Sequence, residues 1–156
     1  QFTIEQLQHT TRTHELILEL EKGEIKVEGD AERISQVIIN LVSNAVKYSP
    51  GASSVIIKLV YNKETSKAEI SIRDFGVGIS SEDVSKIFGR YYRVELQKSK
   101  PGLGLGLYIS QNILHSHGSA LTVESEAGKG STFCFSLPAV KDEDTKSFHS
   151  YLPAFK

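Results

Sequence analysis

Val55-Ile56-Ile57-Lys58-Leu59-Val60-Tyr61 is followed, across the polar run Asn62-Lys63-Glu64-Thr65-Ser66, by Ala68-Glu69-Ile70-Ser71-Ile72-Arg73. Two strand-length apolar runs around a short polar turn read as a β-hairpin. The second run alternates. Ala68, Ile70 and Ile72 share one face while Glu69, Ser71 and Arg73 share the other, as in a strand buried on one side. A hairpin at the centre of the chain makes at least one antiparallel pair and argues against strict βαβ alternation.

Upstream, Leu16 to Leu20 and Glu24 to Val27 are strand-length runs parted by Lys22-Gly23. Asp30 then reads as the N-cap of a helix that Ser49-Pro50-Gly51 stops. Downstream, Asp74 to Gly106 is mostly irregular and carries Gly76, Gly78, Gly89, Gly102, Gly104 and Gly106. Helix signals return from about Gly104 to His117, with Gly118 at C′. Leu121–Ser125 and Ser131–Leu137 then read as strands around Ala127-Gly128-Lys129-Gly130. Residues 1–12 read as a linker or the end of an upstream helix and residues 140–156 as a tail, which leaves a domain over 13–139. The order ββ-α-ββ-loop-α-ββ predicts an α/β (α+β) two-layer sandwich, one sheet with helices on one face.

Composition narrows the function classes. A chain of 156 residues is one ordinary domain, and a domain near that length buries about 68–70% of its unfolded surface. Lys+Arg 18 against Asp+Glu 19 gives a net charge of −1, with no basic field for nucleic acid and no polybasic membrane signal. The single cysteine, Cys134, excludes an intramolecular disulfide or a multi-cysteine zinc site. No apolar run approaches the ~20 residues of a membrane span, and no secretory leader is evident. A soluble protein of a reducing compartment is the expectation. Methionine is absent even from position 1, which predicts a piece of a longer chain.

Three features carry chemistry. On the first long helix, Ile34, Val37, Ile38, Leu41, Val42, Ala45 and Tyr48 form one apolar arc, with Asn40, Asn44 and Lys47 in a stripe on its shoulder. Asparagine is a poor interior helix residue. Amide oxygens can hold a hard divalent cation, directly or through water, and a lysine in line can neutralise phosphate; alone, the stripe also fits a solvated helix edge. Asp74-Phe75-Gly76-Val77-Gly78-Ile79 follows the alternating strand. A carboxylate there, beside glycines that admit close backbone approach, can accept from the exocyclic amine of a purine; an Asx turn fits as well. Gly102-Leu103-Gly104-Leu105-Gly106-Leu107 opens the last helix, where free N–H groups and the helix dipole attract an anion. Its spacing fits neither the dinucleotide fingerprint nor the lysine-bearing phosphate loop, and a flexible hinge is compatible with it.

In this order the motifs resemble the ATP-binding catalytic domain of two-component sensor histidine kinases, of the ATPase superfamily shared with DNA gyrase, MutL-type repair proteins and the ninety-kilodalton heat-shock chaperone. The asparagine box is Asn40 to Tyr48 and the aspartate–glycine box Asp74 to Ile79. Phe88-Gly89-Arg90-Tyr91-Tyr92-Arg93 is similar to the aromatic box, Pro101 to Leu107 to the lid-to-helix glycine box, and Gly128-Lys129-Gly130-Ser131-Thr132-Phe133 to the closing strand motif. The resemblance covers about residues 13–139, with departures at Gly89, where an acidic residue is commoner, and at Ser119, where a glycine is.

The resemblance implies a mixed, mostly antiparallel sheet under three helices, with ATP held between the helices and a mobile lid over about Phe88 to Gly102. It implies that Asn44 ligates Mg²⁺, with Asn40 assisting, that Lys47 meets phosphate, and that Tyr48 lies beside sugar or base. Asp74 would accept from the adenine amino group with help from Thr132, and Gly76, Gly78 and Ile79 would line the base pocket. Tyr92 and Arg93 would cover the nucleotide, with Arg93 reaching the γ-phosphate as a catalytic partner of Asn44. Gly102, Leu103, Gly104, Leu105, Gly106 and Leu107 would wrap the phosphates. The lid carries Arg90, Arg93, Lys98 and Lys100 against Glu95.

Histidine kinases phosphorylate a histidine on a separate dimeric helical hairpin, which passes the phosphoryl group to the receiver domain of a response regulator. His14-Glu15-Leu16-Ile17-Leu18 imitates the opening of the acceptor box, but Leu18 breaks the pattern and the run is strand-like. His9, His115, His117 and His149 read as surface or capping residues. The implied partners are therefore ATP, an acceptor hairpin that makes the parent a homodimer, and a response regulator. The implied location is the cytoplasm, with a parent chain that can be membrane-anchored. An ATP-hydrolysing clamp, a serine kinase of the anti-sigma-factor type and a non-catalytic nucleotide-binding module remain alternatives.

Overall fold

The computed structural model describes residues 7–8, 11, 13–21, 23–94 and 102–140. Five strands, β1 (Glu15–Leu20), β2 (Ser54–Asn62), β3 (Lys67–Arg73), β4 (Thr122–Glu126) and β5 (Gly130–Pro138), form one sheet in the order β1-β2-β3-β5-β4. Only the β1–β2 pair is parallel; the others are antiparallel. The helices are α1 (Ala31–Tyr48), the single turn α2 (Ser81–Val84) and α3 (Gly106–Ser116). The mixed, mostly antiparallel sheet and the α/β sandwich are as expected. Of these three helices among the described residues, two are long and α2 is a single turn.

The central hairpin forms as read, with Ile57 opposite Ile72 and Leu59 opposite Ile70. The second of the two upstream runs read as strands does not become one. β1, α1 and β2 make a parallel βαβ unit, and Glu24 to Val27 is no strand. That run leaves β1 through Gly23 at φ 109° and meets the end of β5, where Val27 bridges Ala139 and Lys26 O accepts from Val140 N at 2.8 Å. With no continuous neighbour to complete a ladder, its apolar spacing cannot make it a strand.

Side-chain alternation puts Val55, Ile57, Ala68, Ile72, Phe133, Phe135 and Leu137 on one buried face. Val37, Leu41 and Val42 of α1 and Ile113 and Leu114 of α3 complete that core. Val37, Leu41, Ile72, Leu114 and Leu137 are at most 1% exposed, each contributing about 1.5–3 kcal/mol of burial.

Both long helices are closed by local chemistry. Asp30 Oδ1 accepts from Arg33 N at 3.0 Å at the start of α1, with Glu32 in its first turn and Lys47 in its last, charges that complement the helix dipole. α3 ends at Gly118 (φ 65°), whose N–H donates to His115 O at 3.0 Å while Ser119 N donates to Leu114 O at 2.9 Å. His117 joins the two helices. Its Nδ1 is 2.7 Å from Ile113 O and its Nε2 accepts from Asp30 N at 3.0 Å, the capping role expected of it.

At the N-terminus, Leu7 packs on the core and Gln8 Oε1 accepts from Leu16 N at 2.6 Å, so this piece of the expected linker docks on the domain. His14 is 5% exposed, with Nε2 2.8 Å from Ser49 O, which withdraws it from any phosphoacceptor role. The 140–156 tail beyond Val140, residues 95–101 of the lid span, His9 and His149 lie outside the described residues. No helix among the described residues is long and apolar enough to cross a membrane.

Candidate functional site

Asp74 continues β3 by one residue, its N–H donating to Ser131 O at 2.9 Å. Its side chain turns inward and the residue is 4% exposed. Gly76 N donates to Oδ1 at 2.9 Å, and the N–H and hydroxyl of Ser131 also bond the carboxyl. Burial pushes its pKa above the ordinary 3.8, while those hydrogen bonds pull the other way.

Glycines let the surrounding backbone close on this carboxylate. A Cβ on Gly76 would run into the carbonyl of Tyr48, one on Gly78 (φ 63°) into that of Glu126, and one on Gly130 (φ 91°) into that of Asp74 itself. The glycine loop is thereby pressed between the end of α1 and the β4–β5 turn, and Val77 N donates to Tyr48 O at 3.1 Å.

Two sequence expectations are corrected here. The hydroxyl beside Asp74 belongs to Ser131, not Thr132. Side chains alternate along β5, and Ser131 shares the inner face of Phe133, whereas Thr132 faces outward between Arg73 and Glu124. Gly76 does not line the cavity; it packs on the C-terminus of α1. Gly78 and Ile79 do line it, as expected, joined by Ser131, Phe133, Ile87 and Val94, which the sequence reading missed. The parity of Phe133, Phe135 and Leu137 was the signal that selects Ser131.

At the other end of the cavity, α3 begins. Leu105 stands at its N-cap and makes no side-chain cap hydrogen bond, so the first N–H groups are open to a ligand anion. Gly102, Leu103, Gly104, Leu105, Gly106 and Leu107 all line the cavity there. α1 supplies the facing wall through Asn40, Asn44, Lys47 and Tyr48. Asn40 is a strut between the helices: Nδ2 donates to the buried Ser110 Oγ at 2.9 Å, and Oδ1 lies against the Cα of Gly106, where no side chain would fit. Lys47 Nζ sits 4.8 Å from the Tyr48 ring centroid and reaches the backbone at Gly102.

The roof is described on both sides of residues 95–101, which with Lys98, Lys100 and Glu95 lie outside the described residues. Tyr92 and Arg93 line the cavity, and the Tyr92 hydroxyl donates to Asp83 Oδ1 at 2.6 Å. Tyr91 N donates to Gly104 O at 3.1 Å, closing the two flanks on each other. Arg90 instead stacks on exposed Tyr91 at 5.0 Å and does not line the cavity.

The cavity is about 310 Å³. One end offers a buried carboxylate, suited to accept from an exocyclic amine; the other offers an uncapped helix terminus and Lys47, suited to an oligophosphate. No group of three or more carboxylate, histidine or cysteine ligands stands together among the described residues. The amide oxygens of Asn44 and Asn40 are hard donors too few to hold a cation alone. That suits Mg²⁺, which keeps waters and takes most of its other ligands from phosphate. Cys134 faces the outer side of the sheet, its thiol pKa raised by burial and by Glu124 and Glu69, so it takes no part.

A one-sided sheet, paired asparagines on one helix, a buried aspartate before a glycine loop and a glycine-rich helix entrance together define a nucleotide-binding domain of the two-layer ATPase class. Residues 29–141 match the family described as histidine kinase-, DNA gyrase B- and HSP90-like ATPase, and the chain belongs to that family. It is 37% identical over 144 residues to the sensor histidine kinase WalK of Bacillus subtilis (strain 168), covering 90% of this chain and 24% of that protein. It is 36% identical over 130 residues to the adaptive-response sensory kinase SasA of Nostoc sp. (strain PCC 7120), covering 83% of this chain and 32% of that one. The solved structure of the mycobacterial sensor histidine kinase MprB matches with a TM-score of 0.75 at 28% identity, covering 88% of this chain and 90% of that one. The chain thus spans roughly a quarter to a third of the length of the curated relatives it matches.

Proposed function

We propose that this domain binds ATP with Mg²⁺ and donates the γ-phosphate to a histidine on a separate helical hairpin, as the catalytic part of a sensor histidine kinase in a two-component pathway. One observation carries the reading: a single cavity holds the buried Asp74 at one end and the uncapped N-terminus of α3 at the other, with Asn44 on the wall. Asp74 accepts from the adenine amino group, and the N–H groups at the entrance of α3, with Lys47, hold the phosphates. Asn44 supplies an amide oxygen to Mg²⁺, which neutralises phosphate charge when bound. Arg93 approaches the γ-phosphate from the roof. Phosphoryl transfer asks for positioning and charge neutralisation more than for a covalent partner, so a domain without a nucleophile is adequate. The acceptor hairpin and its general base belong to the parent chain, a homodimer through that hairpin, with a response regulator downstream and the catalytic domain in the cytoplasm.

The hydrolysing-clamp alternative is disfavoured by geometry. Glu32, the acidic residue of α1, precedes Asn44 by twelve residues, about 18 Å along the helix, too far to activate water at a metal held there. The test is transfer of labelled γ-phosphate from ATP to a supplied acceptor hairpin. Acid-labile, Mg²⁺-dependent label on the hairpin is expected. Acid-stable label, or steady hydrolysis with the hairpin left unlabelled, contradicts the assignment.

A further inference from the structure

β1 stands at one edge of the sheet, paired on one side only, with β2. Glu15 N donates to Ser53 O at 2.8 Å and, just past the strand, Glu21 N donates to Leu59 O at 3.1 Å. The odd-numbered residues of β1 therefore turn their backbone groups to β2, and Leu16, Leu18 and Leu20 turn theirs to the free edge. Gln8 shows what that edge accepts. Its side-chain amide lies along it as a strand would, Oε1 accepting from Leu16 N at 2.6 Å and Nε2 donating to His14 O at 3.4 Å. Beyond Gln8, the N–H and C=O groups of Leu18 and Leu20 have no hydrogen-bond partner among the described residues.

Edge strands are ordinarily blunted by proline, lysine, a bulge or a covering element. The opposite edge, β4, has α2 packed on it. β1 reads Glu-Leu-Ile-Leu-Glu-Leu and pairs in unbroken register with β2. Leu18 and Leu20 are 36% and 47% exposed on its helix side, where Leu16 is buried. Glu15 and Glu19 are exposed on the outer side, about Ile17. A strand laid along this edge would set alternate residues beside Leu18 and Leu20, and the residues between them beside the glutamates. Apolar side chains in the first set gain burial, and basic ones in the second meet opposite charge. A second copy of β1 fits worse. Antiparallel registers centred on Ile17, Leu18 or Glu19 set Glu15 against Glu19, Glu15 against Glu21 or Glu19 against itself, and like charges directly opposite are destabilising.

We infer that the free edge of β1 at Leu18 and Leu20 is a docking surface for an extended segment of a partner protein, which joins the sheet as a sixth strand. That segment is apolar at the positions on the helix side and carries lysine or arginine at those between. No residue of β1 lines the nucleotide cavity, so the surface is separate from the catalytic reading. The test is amide hydrogen exchange of the ¹⁵N-labelled chain with two blocked heptapeptides, one alternating lysine with valine and one alternating glutamate with valine. Saturation with the basic peptide should slow exchange at Leu18 and Leu20 at least about tenfold, and the acidic peptide should leave both amides unchanged. Leu20→Pro, which removes an outward N–H while leaving the bonds to β2, should abolish the response at Leu18. So should Leu18→Lys, which keeps every backbone donor and sets a charge in the apolar row. Exchange unchanged by the basic peptide, equal slowing by both peptides, or a response undiminished in Leu18→Lys overturns the inference. Slowing that rises with protein concentration in the chain alone, with a dimer on sedimentation, assigns the edge to a second copy and overturns it as well.

Discussion

The Tyr92 hydroxyl donates to Asp83 Oδ1 at 2.6 Å, fastening the roof of the cavity to the α2 turn. Asp83 also accepts from Ser80 Oγ at 2.9 Å, and these bonds, Tyr92's the larger, lower its pKa below the ordinary 3.8, with Lys86 adding to them. A carboxylate with a lowered folded pKa contributes stability above its ordinary value and loses it as pH falls through the lowered one. Tyr92→Phe should weaken nucleotide binding severalfold. Its deficit in Tm against the wild type should hold at neutral pH and close below pH 3.8 as Asp83 protonates. Melting curves across that range decide it, and a deficit that persists in acid rules Asp83 out as the partner that matters.

Asp74 has the opposite sign. Burial raises its folded pKa above 3.8, so its contribution to stability is full below that value and is lost as pH rises through the raised one. The ionised side chain is therefore a cost to the folded state at neutral pH, kept for recognition. Asp74→Asn should unfold at the same temperature or higher at pH 7 yet bind ATP at least about tenfold more weakly. In the wild type, ATP affinity should fall as pH drops through the raised pKa. Calorimetry and thermal unfolding of the same samples check both halves, and wild-type affinity in Asp74→Asn refutes the base-reading role.

Asn44→Asp places a carboxylate where phosphate oxygens are expected. Transfer to a supplied acceptor hairpin should fall about 100-fold or more, with the fold intact by circular dichroism. Undiminished transfer contradicts the metal role of Asn44.

Gly130 has φ 91° with its Cα against the carbonyl of Asp74. Gly130→Ala incurs about 1–3 kcal/mol from backbone conformation alone, and the displaced carbonyl should cost nucleotide binding as well. A variant with unchanged Tm would show that the turn moves freely.

Much of this was legible in the chain. α1 declared itself through its apolar arc and the Asp30 cap, and the central hairpin through the period of Ala68, Ile70 and Ile72. Glu24 to Val27 misled because apolar spacing does not say whether a neighbouring strand exists; β1 found its partner across α1 instead. Thr132 and Ser131 are adjacent hydroxyls in one motif, and only strand parity along β5 puts Ser131 on the inner face. The packing role of Gly76 could not be read, because it depends on where the end of α1 lies in space. α2, four residues long, is too short to carry a helical period.

The central claim is that one cavity holds a purine at Asp74 and phosphates between Asn44 and the start of α3. Amide chemical shifts of the ¹⁵N-labelled chain titrated with Mg–ATP test it most directly. The expected result is large shifts at Gly76 and Ser131 around Asp74, at Asn44, and at Gly104 to Leu107, all saturating together. Saturation that leaves the surroundings of Asn44 and Asp74 unmoved would contradict it.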